Sequence, residues 1–478
     1  MSQTNAGSAR ALIAALAAKT ISARELLDDA MARNAEVAGT LNCVVASDPE
    51  RAQKAALAID DARARGRAPG ALAGLPMTVK DVFDVDGMPA VVGNPMLKDR
   101  PKACSDADLV ARLKGEGAVI WGKTNVPLMA GDFQSYNSVY GTTNNPYDVS
   151  RTPGGSSGGA AVALATGITS LEIGSDIGGS LRHPANFCGV FSLKPTWGAL
   201  SQRGHAPPLP EQFCDIDLNV VGPMARTADD LQLLWTILSG SAAKDRGSVK
   251  GARVIVWDEE PSFPLSRDVR TQVQRAADAL QRRGAVVEHV KLPVGGGELM
   301  DAYLELLIPI IASGYPEALY ESFISSREAD LRAVREGSGD LTGARFRLRS
   351  IARHRDVLRA MTRRQALKDR MAAVFASGVD AILSPLGPVP AFPHTQDLPP
   401  TERTIDVDGR TVPYMSLLTW IALATALHLP AMAVPAGRNG GGLPIGVQVI
   451  GPWHREDRLF DFAAVLEEDL GGFNAPAV

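Results

Sequence analysis

The sequence predicts an α/β protein in which a central β-sheet is covered by helices on both faces. From residue 72 onward, short apolar runs alternate with amphipathic segments, an order typical of buried strands joined by helices. With 45% hydrophobic and 21% charged residues, the 478-residue chain can build a large core. Residues 298–377 interrupt the alternation and predict an additional helical part.

Short apolar runs bounded by polar or glycine residues predict the strands of this sheet. They are LPMTV (75–79), AVIWG (118–122), ITSLEIG (168–174), ARVIVW (252–257), AVVEHV (285–290), DAILS (380–384) and IGVQVIG (445–451). Segments with helical periodicity lie between them, at 106–115, 157–166, 228–238 and 267–283. Strands on both sides of 298–377 indicate that this helical part is an insertion that packs on one continuous domain.

The N-terminal region, residues 8–66, is predicted to be helical. Ser22 and Glu25 form a capping-box pattern at the start of one helix. Asp48 followed by Pro49 is a start signal for another. The apolar segment ALIAALAA (11–18) weakly resembles a signal peptide, but its apolar residues fall on one helical face. We therefore expect the first helix of a cytoplasmic protein there.

Charge, hydropathy and cysteine usage exclude several classes of function. The net charge of −4 lacks the basic excess typical of nucleic-acid binders. Every apolar run is shorter than the about 20 residues needed to span a membrane as a helix. The four cysteines show no C-x-x-C spacing, so neither a metal site nor a disulfide framework is expected.

Two glycine-flanked serines lie in the segments TPGGSSGGAAVALATG (152–167) and GSDIGGSLRHPA (174–185). A serine hydroxyl needs a base to become a nucleophile at neutral pH. Seven histidines are present, and none stands in a pattern that suggests a triad; His183, three residues past Ser180, is more typical of local packing. Lys80 follows the apolar run LPMTV, and burial favours the neutral form of a lysine, which can act as a base.

Three blocks together resemble the amidase signature family. They are GLPMTVKD (74–81), TPGGSSGGAAVALATG (152–167) and GSDIGGSLRHPANFCGVFSLKPTWG (174–198), in the order of the family. Supporting matches are GKTNVP (122–127), YGTTNNPYD (140–148), VGPMARTADDL (221–231) and GLPIGVQVIGP (442–452). The resemblance implies one amidase domain over 1–478, with a mixed central sheet, N-terminal helices at 1–66, a signature core at 70–240 and a helical insertion on the substrate side at 298–377.

The resemblance also implies a Ser–cis-Ser–Lys triad. By motif position, Ser180 is the nucleophile, Ser156 the bridging serine after a cis peptide at Gly155, and Lys80 the base. The two serines lie 24 positions apart, the usual spacing in the family. The amides of residues 177–180 are implied to form the oxyanion hole; these are Ile177, Gly178, Gly179 and Ser180.

Further residues near these motifs receive supporting roles. Asp176 and Arg182 flank the nucleophile and are expected to hold its loop, and Ser157 to open the helix 157–166 or to bond the triad. The stretch LMAGDFQSY (128–136) lines the acyl pocket in the family. The candidates for substrate contact within it are Met129, Phe133 and Gln134, and core packing is an equally good interpretation of each one alone.

The function implied is hydrolysis of a small-molecule carboxylic amide through an acyl-enzyme, without metal or organic cofactor. Apolar residues in the helical insertion hint at a hydrophobic or aryl amide. Family members are often dimers, so a homodimer is the implied assembly, with no nucleic-acid or membrane partner.

Two other functions fit parts of the sequence. One is the glutamine-hydrolysing subunit of a tRNA-dependent amidotransferase, whose characteristic arginine-tyrosine segment is not found in GDLTGARFRLRSIARHR (339–355), although arginines are present there. The other is a small-molecule kinase that binds phosphate on the glycine–serine loop, which would leave Lys80 and the DIGGS block unexplained.

Overall fold

The computed structural model describes residues 7–67, 70–206, 215–242 and 244–478. The strands in chain order are β1 (Val44–Ser47), β2 (Pro76–Lys80), β3 (Val119–Thr124), β4 (Tyr136–Asn137), β5 (Gly141–Thr142), β6 (Leu171–Asp176), β7 (Phe191–Lys194), β8 (Val220–Ala225), β9 (Arg253–Val256), β10 (Val286–Glu288), β11 (Val379–Pro385), β12 (Thr404–Val407), β13 (Arg410–Pro413), β14 (Ala431–Arg438) and β15 (Pro444–Ile450).

The helices in chain order are α1 (Ala9–Ala17), α2 (Ala23–Leu41), α3 (Pro49–Ala64), α4 (Asp108–Gly115), α5 (Gly158–Ala165), α6 (Arg182–Cys188), α7 (Ala228–Ser239), α8 (Arg267–Arg282), α9 (Gly296–Ala312), α10 (Glu317–Glu336), α11 (Leu341–Ser350), α12 (His354–Ala376), α13 (Ala422–Ala426) and α14 (Glu456–Leu470). Short 3-10 turns occupy Pro95–Leu97, Leu128–Ala130 and Tyr414–Leu418. Among the described residues, no helix is both long and apolar enough to cross a membrane.

The central sheet has eight strands in the order β10-β9-β11-β15-β14-β7-β8-β6. It is mixed, because β9 pairs in parallel with β10 and β11, whereas the remaining pairs are antiparallel. A smaller sheet has the strand order β1-β3-β2, and its strand β2 packs against β6 of the large sheet. The predicted α/β fold with a mixed sheet is confirmed.

Helices cover both faces of this sheet. Helix α14 contacts both α7 and α8, all three pack on strands of the large sheet, and α6 and α12 pack on strands of the same sheet. The N-terminal helices α1 to α3 begin where the sequence predicts; Ser22 and Glu25 form the expected capping box, and the Asp48 side chain accepts from the amide of Arg51. The insertion 298–377 consists of helices, α9 to α12.

Some predicted elements differ from the observed ones. Strands β7, β8 and β14 are absent from the prediction, and each lies buried in the centre of the large sheet. The helix expected over 157–166 begins at Gly158, and the Ser157 side chain makes no capping hydrogen bond. Cys214 lies outside the described residues; Cys43, Cys104 and Cys188 are free thiols.

Candidate active site

Lys80 ends β2 and is fully buried. Its Nζ atom lies 2.8 Å from Ser156 Oγ and 3.0 Å from Ser175 Oγ. Burial lowers the pKa of Lys80 to about 7, against the opposing charges of Asp176 and Glu172. At neutral pH a large fraction of this amine is therefore uncharged and able to accept a proton.

Ser156 lies in the tight loop between Thr152 and helix α5 and is 1% exposed. The Gly155–Ser156 peptide is cis, as the resemblance implies. A Cβ atom on Gly155 would lie 2.5 Å from the carbonyl oxygen of Asp132 and 2.7 Å from the amide nitrogen of Gln134. The loop thus presses against the backbone of 132–134, and only glycine fits at 155.

Ser180 lies in the turn between β6 and α6, and its residue is 7% exposed. Its carbonyl oxygen accepts a hydrogen bond of 3.2 Å from the amide of Ser157, so the two serine loops are joined directly. Among the described residues, the side-chain hydrogen bonds of the triad join Lys80 to Ser156 and Ser175 and do not include the Ser180 hydroxyl. The structure therefore brings Lys80 and Ser156 into contact and places the Ser180 loop against the Ser156 loop.

Asp176 and Arg182 form a buried ion pair across the nucleophile turn. The Arg182 guanidinium reaches Asp176 at 2.9 and 3.0 Å, and Asp176 also accepts from the amides of Gly179 and Leu181. Burial acts to raise the pKa of Asp176, but the charge and hydrogen bonds of Arg182 hold it well below its usual range. The other Arg182 hydrogen bonds go to Ile421, Thr425 and Gln448. The pair therefore fixes the turn to the core.

The amides proposed for the oxyanion hole divide into two groups. In the described structure, the amides of Ile177, Gly178 and Ser180 have no protein acceptor. The Gly179 amide donates a hydrogen bond of 2.9 Å to Asp176 Oδ1, and the φ of +92° at Gly179 is a backbone conformation that favours glycine. The Gly179 amide is thus already occupied, contrary to the expectation, and the amides of Ile177, Gly178 and Ser180 stay the predicted donors.

Apolar side chains surround the position of Gly178. A Cβ atom there would lie 3.4 Å from Leu418 Cδ2 and 3.9 Å from both Phe133 Cε1 and Tyr303 Oη. Tyr303 is fully buried on α9, and its hydroxyl donates a hydrogen bond of 2.6 Å to the carbonyl oxygen of Ile177. The helical insertion therefore reaches the nucleophile turn through Tyr303, and Phe133 lies where a substrate contact is expected.

The other two expected substrate contacts fare differently. Gln134 is fully buried, and its amide exchanges hydrogen bonds of 2.9 to 3.1 Å with Thr395. Its polar atoms already have partners in Thr395, and a contact of Gln134 with substrate stays a prediction. Met129 lies in the 3-10 turn 128–130, and its Sδ accepts from Asn94 at 3.4 Å; no contact in the structure joins it to the triad.

Glu172 is a buried residue of the site that the sequence analysis missed. It lies on β6, its Oε1 atom accepts from the hydroxyls of Thr78 and Thr124, and its Oε2 atom from the amide of Ile173. Burial raises the pKa of Glu172 to about 8, although these hydrogen bonds and Lys80 act to lower it. The one available signal was a lone charged residue within the apolar run ITSLEIG.

His183 is fully buried, and its Nε2 atom lies 3.0 Å from the carbonyl oxygen of Leu417. Burial and the neighbouring charge of Arg182 lower its pKa to about 4, so the ring is neutral near pH 7. Its ring packs edge-on against Phe133. This environment fits the packing role predicted for His183.

Known proteins share this sequence pattern along almost the whole chain. The sequence model of the Amidase family matches residues 25–460. The chain is 34% identical to the A-type subunit of the glutamyl-tRNA(Gln) amidotransferase from Anaeromyxobacter sp. (strain K), over 97% of this chain and 96% of that protein.

Solved structures share the fold. One comes from an unexpected vestigial protein complex that reveals the evolutionary origins of an s-triazine catabolic enzyme; it has a TM-score of 0.80 and 30% identity and covers 99% of this chain and 100% of that chain. The peptide amidase PAM, in complex with the competitive inhibitor chymostatin, has a TM-score of 0.77 and 27% identity. The match covers 98% of this chain and 99% of that chain. The chain therefore belongs to the amidase signature family and is a hydrolase that acts on carbon–nitrogen amide bonds.

Proposed function

We propose that the protein hydrolyses a small hydrophobic or aryl amide through an acyl-enzyme on Ser180. The observation that carries this proposal is the 2.8 Å contact between Lys80 Nζ and Ser156 Oγ in a buried site. A neutral amine in that position can take a proton from the Ser156 hydroxyl, which in turn takes one from Ser180. The adjoining Ser156 and Ser180 loops support this relay.

The first half of the reaction forms the acyl-enzyme. As Ser180 Oγ bonds to the amide carbonyl carbon, its proton moves to Ser156 and the Ser156 proton moves to Lys80. The free amides of Ile177, Gly178 and Ser180 stabilise the oxyanion. When the carbonyl re-forms, the carbon–nitrogen bond breaks and the proton returns from Lys80 through Ser156 to the departing amine.

The second half regenerates the enzyme. Water loses a proton through the same relay and attacks the ester carbonyl of acylated Ser180. Collapse of this intermediate breaks the ester bond, releases the carboxylic acid and returns a proton to Ser180 Oγ. Every proton that enters Lys80 leaves it again, so each cycle consumes only amide and water.

The apolar surroundings of Gly178 support a hydrophobic or aryl acyl group. Leu418, Phe133 and Tyr303 are the nearest side chains to that position, and the Tyr303 hydroxyl is engaged with Ile177. An apolar ring or chain would bury its surface there, with a gain of about 25 cal/mol per Å². A charged acyl group would lose its hydration without a visible partner among these three side chains.

A fluorophosphonate probe tests the nucleophile directly. We expect the probe to label Ser180, with the adduct located by mass spectrometry of the digested protein. Ser180→Ala and Lys80→Ala should each abolish hydrolysis of anilide and aliphatic amides, and Ser156→Ala should leave a small residual rate. Turnover close to wild type in purified Ser180→Ala, or an adduct on another residue, would refute the assignment.

A glutamine-hydrolysing amidotransferase subunit is the second candidate, favoured by the 34% identity to a subunit of such an enzyme. Recognition of free glutamine requires a cation for its α-carboxylate. In the segment 339–355, Arg347, Arg349 and Arg353 already pair with Asp330, Asp301 and Asp356. Glutaminase activity that rises with charged tRNA and partner subunits would favour this candidate over the hydrophobic amidase.

The kinase hypothesis is not supported by the glycine–serine loop. The amides at the start of α5 are already paired, since Ser157 donates to Ser180, Gly158 to Ser135 Oγ and Gly159 to Asn125. An anion-binding loop needs free amides that point at the phosphate. Every residue of α5 is also buried.

A further inference from the structure

The carboxyl group of Glu172 lies on the same side of the small sheet as the amine of Lys80. Thr78, which donates to Glu172 at 2.8 Å, precedes Lys80 by two residues on β2, so both side chains leave that strand on one face. Thr124, the second donor at 3.1 Å, is the register partner of Lys80 across β2 and β3. Two contacts thus hold the Glu172 carboxyl beside the position of Lys80.

Apart from Lys80, the described residues offer Glu172 no cationic side chain. It is fully buried, and within the described chain no Lys, Arg or His lies within 4.0 Å of its carboxylate. Asp176, the other carboxylate whose charge acts on Lys80, is by contrast paired with Arg182. Lys80 is therefore the cation with which the charge of Glu172 interacts.

We propose that Glu172 is a positioning residue for catalysis, which raises the proton affinity of Lys80 through its charge and shares a proton with it. The proposal rests on the proposed role of Lys80 as the base. When Lys80 accepts the proton of Ser156, a buried ammonium ion forms, and a nearby carboxylate stabilises it. Three hydrogen bonds to Glu172, from Thr78, Thr124 and the Ile173 amide, favour its ionised form and oppose the burial that raises its pKa to about 8.

The remaining titratable groups around the pair are accounted for. Cys43, just before β1, has its thiol pKa raised to about 12 by burial, so it stays neutral. Asp176 is fixed as a carboxylate by Arg182. The lowered pKa of Lys80 and the raised pKa of Glu172 support one proton shared between two groups that titrate as a pair.

Glu172→Gln tests the proposal, because glutamine keeps the shape and one acceptor of the side chain but cannot carry charge. The midpoint of the acidic limb of the kcat/KM profile should move to lower pH, by less than the about 1 unit of a full opposite charge at short range, because Glu172 itself takes up a proton near pH 8. Relative to its own plateau, the variant should then be more active than wild type between about pH 7 and 8, where Glu172 is still partly ionised. An unmoved limb would overturn the proposal, since a purely structural Glu172 predicts no shift.

Two further variants keep the test decisive. Thr124→Val removes one donor to the carboxylate while retaining shape, so it should shift the limb in the same direction by less, and it covers the case in which Glu172→Gln does not fold. Asp230→Asn is the matched control, because Asp230 is a buried carboxyl that caps the start of α1, and it should leave the limb in place. If wild type shows no acidic limb, or Lys80→Ala remains active, the proposed function itself fails.

Discussion

Lys80 Nζ lies 2.8 Å from Ser156 Oγ, and neither residue is more than 1% exposed. Water therefore cannot stabilise an ammonium ion at this position, which is why burial lowers the pKa of Lys80 to about 7. A buried amine of this kind can serve as a base without a histidine. Under the proposed mechanism, the pH range in which it is uncharged decides when the enzyme is active.

We predict that kcat/KM falls on acidification below about pH 7, approaching a tenfold loss per pH unit, because protonation of Lys80 removes the base. His183 and His428 do not interfere, since burial lowers the pKa of each to about 4. The measurement is a profile between pH 5 and 9 with a neutral anilide, expressed as kcat/KM.

Lys194 is the necessary control for this profile, because burial lowers its pKa to about 7 as well. Its Nζ atom donates to the carbonyls of Pro195 and Leu429, away from the triad. Lys194→Met should retain the acidic limb. A rate that rises on acidification, or a limb that disappears in Lys194→Met, would contradict a neutral Lys80 base.

We predict opposite outcomes for alanine at two adjacent glycines of the nucleophile turn. Gly179 has a φ of +92°, and a Cβ atom there would lie 2.5 Å from His183 Cδ2. Gly179→Ala should therefore destabilise the fold by about 1–3 kcal/mol from the backbone conformation alone, with further loss from the clash, and abolish activity. Thermal unfolding and anilide hydrolysis measure both effects.

Gly178→Ala is the matched variant. Its new Cβ atom would meet Leu418 at 3.4 Å, an ordinary van der Waals distance, and its φ is not in the left-handed region. We expect a melting temperature near wild type and a selective rise in KM for bulky aryl amides, because the methyl group projects toward Phe133 and Tyr303. Equal loss for small and bulky substrates would argue against an acyl pocket at this position.

We predict that Arg403→Met lowers kcat/KM by more than about tenfold, although Arg403 is remote in sequence from the triad. Its guanidinium binds Asp132 at 2.6 Å and the Tyr136 hydroxyl at 2.7 Å, both within the segment that contains Phe133 and packs against Gly155. Breaking such a buried pair costs about 3–5 kcal/mol. Fluorophosphonate labelling rates and steady-state kinetics report the displaced segment.

Arg438 provides the comparison for this variant. Its guanidinium lies 4.8 Å from the Tyr147 ring, outside the site, just as that of Arg403 lies 5.7 Å from the Tyr136 ring. Arg438→Met should keep the labelling rate of Ser180 close to wild type. Equal rates in the Arg403 and Arg438 variants would show that the 132–136 segment does not control the site.

The sequence pattern identified the fold class where apolar runs were free of breaking residues. LPMTV predicted β2, and the insertion 298–377 was recognised by its loss of alternation. The sequence analysis did not predict strands β8 and β14, because they contain Pro223 and Pro435, and proline is normally excluded from central strands. Tertiary pairing overrides that local signal in both cases.

The candidate site divides in the same way. Lys80, Ser156 and Ser180 belong to contiguous motifs, so a resemblance could identify them. Leu418 and Tyr303 lie far from the nucleophile in sequence and reach it only through the packing of α9 and the 414–418 turn. The local sequence around the nucleophile does not report which distant residues pack against it. Nor does it predict the hydrogen bond from the Gly179 amide to Asp176.

We predict that Lys80→Met separates stability from activity through its pH dependence. Wild type binds the Lys80 proton more weakly when folded, with a pKa of about 7 instead of 10.5. Its folded state is therefore penalised, by an amount of the order of a few kcal/mol, at and below about pH 7, and the penalty vanishes as pH rises toward 10.5. The melting temperature of the inactive variant minus that of wild type should thus be largest near pH 7 and shrink steadily up to pH 10. A difference that is constant or grows over this range would mean that Lys80 keeps its ordinary pKa in the folded protein, and the base in this site would have to be sought elsewhere.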